Sequence, residues 1–136
     1  MVFESHLPAV IGARVRLIFP KVQNHAGLEF FFRDLSLSLF ETSSLHGKLI
    51  GHIKLYGKGD SKSMIRANAT GSRESVQVEI RNPHPETGVE LWLNIIAYKM
   101  SEDELRRNFL RTLIQTAKRH GVKVRGLEIE DEHGQH

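Results

Sequence analysis

The chain contains no cysteine, so a thiol nucleophile, a disulfide framework and a thiolate metal site are all excluded. Any chemistry therefore falls to its eight histidines, its hydroxyls, its carboxylates and its cations. His46, Lys48, His52 and Lys54 share one parity, which on a strand puts them on one face. Same-side residues lie roughly 7 Å apart, so His46 and His52 would stand about 20 Å apart and could not share a metal ion. The pattern reads as a basic stripe. His84 sits between Pro83 and Pro85, where a stiff loop presents its imidazole; a general base at His84 or His52 would need Asp34 or Glu90 beside it. Gly57 to Ser63 mixes glycines, lysines and hydroxyls, a composition that suits either a solvated hairpin loop or backbone N–H groups turned toward a phosphate. It is not a Walker A loop, because the glycine spacing is wrong and no helical pattern follows. His133 and His136 belong to a polar tail expected to fray. No metal site and no cofactor is expected.

Charge adds a direction. Nineteen Lys and Arg against 16 Asp and Glu give a net charge of +3, a mild excess rather than a nucleic-acid-binding composition. The signs are unevenly placed. Lys48, Lys54, Lys58, Lys62, Arg66 and Arg73 crowd the middle third, while Glu128, Glu130, Asp131 and Glu132 make the end acidic. Arg106, Arg107, Arg111, Lys118 and Arg119 lie off the apolar stripe of the last helical segment and read as its solvated face, since no aromatic is interleaved with them.

The elements that must position these groups follow from hydrophobic periodicity. Ala13, Val15, Leu17 and Phe19 alternate as a first strand that should stop at Pro20. Leu28, Phe30 and Phe32 alternate, then Leu35, Leu37 and Leu39 do so with shifted parity, which predicts a bulge or two strands meeting at a corner. Leu45 to Leu55, bent at Gly47 and Gly51, reads as the next strand, and Ile65 to Ala69 and Val76 to Ile80 form a hairpin through Gly71–Glu74. Asn82 to Pro85 must leave the sheet. Val89 to Tyr98 is apolar on both parities and is expected to be covered on both sides. Ser101 with Glu104 forms a capping box for a helix over 102–120, whose stripe is Leu105, Phe109, Leu113, Ile114 and Ala117. Val122 and Val124 resume strand alternation, and Gly126 breaks its parity before Leu127 and Ile129.

Arg14-Val15-Arg16, Arg33-Asp34-Leu35-Ser36 and Gly88-Val89-Glu90-Leu91 before a terminal amphipathic helix resemble the order of landmarks in PilZ domains over residues 13–120. The resemblance implies a six-stranded β-barrel followed by a helix, and a cyclic dinucleotide held by an arginine motif and an Asp/Asn-x-Ser-x-x-Gly motif. Asp34 and Ser36 match the second motif, and Arg14 and Arg16 stand for the first. The arginines are one residue apart where the family has three, and Leu39 stands where the motif has Gly.

The expected architecture is a single α+β domain with a core over 10–130 and a tail over 131–136. It consists of about six mainly antiparallel strands in a barrel or bent sheet, packed by one C-terminal amphipathic helix, with a short final strand. The expected function is a non-enzymatic regulatory module that binds an anionic ligand, such as a nucleotide, through Arg14, Arg16, Asp34, Ser36, Lys48, Lys54, Lys58 and Lys62. Two alternatives stand beside it: a structural subunit that assembles with itself or a protein partner through a sheet edge or Phe30-Phe31-Phe32, and a small enzyme with a His base. No apolar run reaches membrane-spanning length and the first 20 residues lack a leader pattern, so a cytoplasmic protein without a membrane partner is expected.

Overall fold

The structure, a computed structural model, describes residues 7–131, with Leu49, Ile50 and Asp131 described by their backbone alone. His133 and His136 lie outside the described residues. Six strands and two long helices follow one another as β1 (Ala9–Gln23), α1 (His25–Ser43), β2 (Leu49–Gly59), β3 (Met64–Gly71), β4 (Gln77–Arg81), β5 (Glu86–Ala97), α2 (Glu102–Arg119) and β6 (Lys123–Asp131). The strands form one open sheet in the order β4-β3-β2-β5-β1-β6, every pair antiparallel. The expected antiparallel α+β class holds, but the sheet does not close into a barrel.

The connections explain the openness. The helix α1 carries the chain from β1 to β2 with β5 between them, and α2 carries it from β5 to β6 with β1 between them. These are two interlocked split β-α-β units, the ferredoxin-like arrangement, extended at the β2 edge by the hairpin β3–β4. Both helices lie on the same side. The α1 helix packs over β2, β3 and β4, and α2 over β1 and β6.

The segment expected as two strands at a corner is therefore a helix. Buried Leu28, Phe31, Phe32, Leu35, Leu39 and Phe40 recur at three- and four-residue intervals, and the parity switch was that period seen through a two-residue window. Asn24 caps it, its side chain accepting from the Gly27 N–H at 2.8 Å. The second helix matches expectation at its start, where the Ser101 hydroxyl accepts from the Glu104 N–H at 3.1 Å. Its stripe is narrower than expected. Leu105, Phe109 and Leu113 are buried, but Ile114 is 53% exposed.

Odd-numbered residues of β1, β3 and β5 and of the paired part of β2 face the helices and form the core with them. Several boundaries differ from expectation for local reasons. Strand β1 runs past Pro20 because its ladder to β6 ends at Ile18 and its pairing with β5 lapses between Ile18 and Gln23, so the missing proline N–H leaves no ladder bond unmade. Leu45 and Lys48 close a tight turn with His46 at φ 53° and Gly47 at φ 78°, so His46 and Lys48 precede β2 instead of lying on it. Gly126, at φ 61°, sits in a bulge opposite Arg14–Arg16, which keeps both Val124 and Ile129 on the covered face. Strand β5 is covered on one side only. Trp92 is 36% exposed and Tyr98 41%.

Leu113→Ala and Leu35→Ala should each cost about 2–5 kcal/mol, since each empties a fully buried site, whereas Ile114→Ala should fall within about 0.5 kcal/mol of wild type. Urea denaturation measures all three. Equal costs at Leu113 and Ile114 would contradict the packing described.

Candidate functional site: the uncovered face of the sheet

With both helices on one side, the even-numbered residues of β1, β2, β3 and β5 face outward. Cross-strand register sorts them into rows. The central row reads Glu79 (β4), Arg66 (β3), Tyr56 (β2), Trp92 (β5), Arg14 (β1) and Glu128 (β6). The Tyr56 and Trp92 rings lie 5.7 Å apart between centroids, tilted by 36°, and the Arg14 guanidinium stands 5.5 Å from the Trp92 ring. One flanking row carries Asn68, Lys54, Asn94 and Gly12, and the other carries Met64, Lys58, Glu90 and Arg16.

A hollow of about 420 Å³ opens over this centre, lined by Lys54, Tyr56, Arg66, Asn68, Trp92 and Asn94 among others. A smaller one of about 160 Å³ lies on the far side of Trp92, beside Arg14, Glu128 and Glu130. The cations on this face are not equivalent. Arg14 pairs with Glu90 at 3.3 Å, and Arg16 holds Asp60 through two bonds at 3.0 and 2.6 Å. Hydrogen bonding from Arg16 outweighs burial and holds the Asp60 carboxyl below its usual value, while the same bond raises the Arg16 pKa. Lys54, Lys58 and Arg66 make no side-chain hydrogen bond or ion pair among the described residues, and neither do the amides of Asn68 and Asn94. The site therefore offers three uncommitted cations, two amides and two partly exposed rings.

The remaining expected site residues lie elsewhere. Asp34 and Ser36 are on α1, in the helical layer across the sheet from Arg14 and Arg16, so these four residues do not converge. The Ser36 hydroxyl is buried without a partner. Asp34 clamps the two helices: its carboxylate accepts from Arg119 Nη2 at 3.2 and 3.1 Å and lies 2.7 Å from His120 Nε2. Lys48 lies in the turn before β2, and Lys62 in the turn between β2 and β3 at φ 75°.

That β2–β3 turn does form an anion cradle, and the chain fills it. The buried Glu86 carboxylate accepts the Ser61 N–H at 2.8 Å and the Ser63 N–H at 3.0 Å. A Cβ on Gly59 would stand 2.2 Å from that carboxylate, so the glycine makes the approach feasible. His84 is exposed, and its backbone N–H donates to the Ser63 hydroxyl at 2.8 Å. His52 is aligned with Ile96 and Glu90 with Lys58, six residues along β2, which the strand rise makes roughly 20 Å. Among the described residues neither His52 nor His84 forms a hydrogen bond or ion pair with Asp34 or Glu90; the Asp–His contact that does form joins Asp34 to His120. Among the described residues no three His, Asp or Glu cluster as metal ligands, and no helix is long and apolar enough to cross a membrane.

In comparisons with protein families, curated proteins and solved structures, no match was found.

Although burial works to raise it, hydrogen bonds from His120 and Arg119 hold the Asp34 carboxyl below its ordinary value. A depressed folded pKa contributes stability that is complete above the unfolded value near about 4 and is lost as pH falls through the folded value. Asp34→Asn should therefore lower stability at pH 7 and flatten its decline in the acid range. Chemical denaturation across that range checks this, and an acid limb unchanged by the substitution would contradict the clamp.

Proposed function

We propose that this protein is a non-enzymatic binding module that recognises an anionic ligand, with nucleotides in that class, on the uncovered face of its sheet. One observation carries the reading: Tyr56 and Trp92, 37% and 36% exposed on neighbouring strands, are set among Lys54, Lys58 and Arg66, which form no ion pair among the described residues. Exposed rings flanked by unpaired charge are a costly way to finish a sheet unless something covers them. A flat aromatic ligand bearing phosphate suits both features. Its ring stacks on Trp92 or Tyr56, and its charge meets Lys54, Lys58 or Arg66 without any covalent step. Of the residues expected from sequence, Lys54 and Lys58 stand centrally, and Arg14 and Arg16 serve as paired supports.

Trp92 is the only tryptophan in the chain, so its emission reports on the site directly. Titration with nucleoside phosphates should change that emission, and affinity should fall as salt rises. Replacing Lys54 and Lys58 together by Glu should weaken binding by at least about tenfold, or 1.4 kcal/mol. Affinity indifferent to salt, or no response to any nucleotide or polyanion, would remove this reading.

A second reading, self-association, has its own observation in Phe30, which is 69% exposed on the helical layer with an edge contact to His120. Gel filtration with light scattering separates the two: a dimer that Phe30→Ser dissociates supports assembly, and a monomer at all concentrations opposes it.

A further inference from the structure

We infer that the ligand is a single-stranded nucleic acid laid along β2, an inference that rests on the open-face reading and narrows it. Three features of the face carry it. The first is spacing: Lys54, Tyr56 and Lys58 project from the same side of β2, with the two lysines roughly 13 Å apart by the strand rise and the ring midway. A base stacked on Tyr56 thus has a lysine within reach of the phosphate on either side. The second is direction. The central row ends in Glu79, paired with Arg81, at one edge and in Glu128 at the other, with Glu130 beside it, so a polyanion crossing the sheet along this row meets a carboxylate at each end. A polyanion running along β2 meets none on that strand, and the nearest, Glu90 beside it and Asp60 just after it, are already held by Arg14 and Arg16.

The third feature is what the hollow offers beyond charge. Tyr56 and Trp92 provide two neighbouring stacking surfaces, and Arg66 adds a guanidinium beside Tyr56. Asn68 and Asn94 border the hollow with amides that have no partner among the described residues, a donor and an acceptor each for the edge of an unpaired base. These groups can read only a base whose faces are free. In a duplex those faces are covered by stacking, which makes single strands the matching class. The modest overall charge is compatible with this, because attraction is set by the local charge around β2 rather than by the total.

Fluorescence anisotropy with labelled homopolymers of about nine residues, ribose and deoxyribose in separate arms, tests the inference against the nucleoside monophosphate and the blunt duplex. Single strands of one or both sugars should bind at least about tenfold more tightly than either competitor. Trp92→Ala and Tyr56→Ala should each lose about tenfold with the salt dependence unchanged, and Trp92→Phe, which keeps a ring, should retain most of the affinity. Lys54→Ala and Lys58→Ala should each reduce the slope of log affinity against log salt by about 0.7. Matched melting temperatures confirm that the variants fold. A monophosphate that binds as tightly as the oligomer, or a duplex that binds more tightly, overturns the single-strand inference and leaves the open-face reading intact. Failure of every nucleotide and polyanion to bind overturns both.

Discussion

The arrangement of this protein depends on a strict division of its strands into two faces. One parity of β1, β3, β5 and the paired part of β2 is apolar and is buried by α1 and α2; the other parity is left to water. Because both helices arise from split β-α-β crossovers on the same side, nothing in the described chain returns to cover the second face. A one-residue slip in β2 or β5 would send Leu55 and Leu93 outward and Tyr56 and Trp92 inward, so the register that builds the core also builds the platform.

Within that frame the chain satisfies several of its own charged groups, and where it does so is informative. Glu86 fills the N–H cradle of the β2–β3 turn, Glu90 and Asp60 engage the arginines of β1, and Asp34 joins α1 to Arg119 and His120 at the end of α2. Thr42, whose carbonyl accepts from Asn108 and whose hydroxyl bonds Thr112 at 2.9 Å, links the C-terminal end of α1 to the middle of α2. Each of these contacts removes a group from the pool available to a ligand. Lys54, Lys58 and Arg66 are among the cations left without an ion pair among the described residues, and their clustering around the two exposed rings locates the site more sharply than any motif does.

Much of the sheet was legible because strand alternation is local. The strands around Val15, Ile65, Val78 and Leu93 and the capped helix from Ser101 all emerged from period and turn residues. The α1 helix did not, because Phe30-Phe31-Phe32 and the serines after it have weak helix propensity, and Leu28, Phe30 and Phe32 also satisfy a period of two. Asn24, an N-cap residue followed after Gly27 by 16 residues without Gly or Pro, was the available clue. The site was legible only in part. Lys54 and Lys58 stand out by charge, but Trp92 reads from sequence as a sign of double cover, since an apolar outward face looks the same whether a helix or a ligand is to meet it. The row joining Arg66, Tyr56, Trp92 and Arg14 depends on register between strands distant in sequence, which no local pattern contains. Asp34 and Ser36 show the converse: a motif match placed them in a strand, and the helical period placed them in the opposite layer.

The account is tested most directly by amide chemical-shift mapping of the full chain during titration with a single-stranded oligonucleotide. Shifts concentrated at 54–58, 66–68 and 92–94, with α1 and α2 unmoved, are the expected result. Shifts centred on the helical layer around Asp34, Phe30 and His120, with the sheet unmoved, would contradict the claim that the uncovered face is the one that binds.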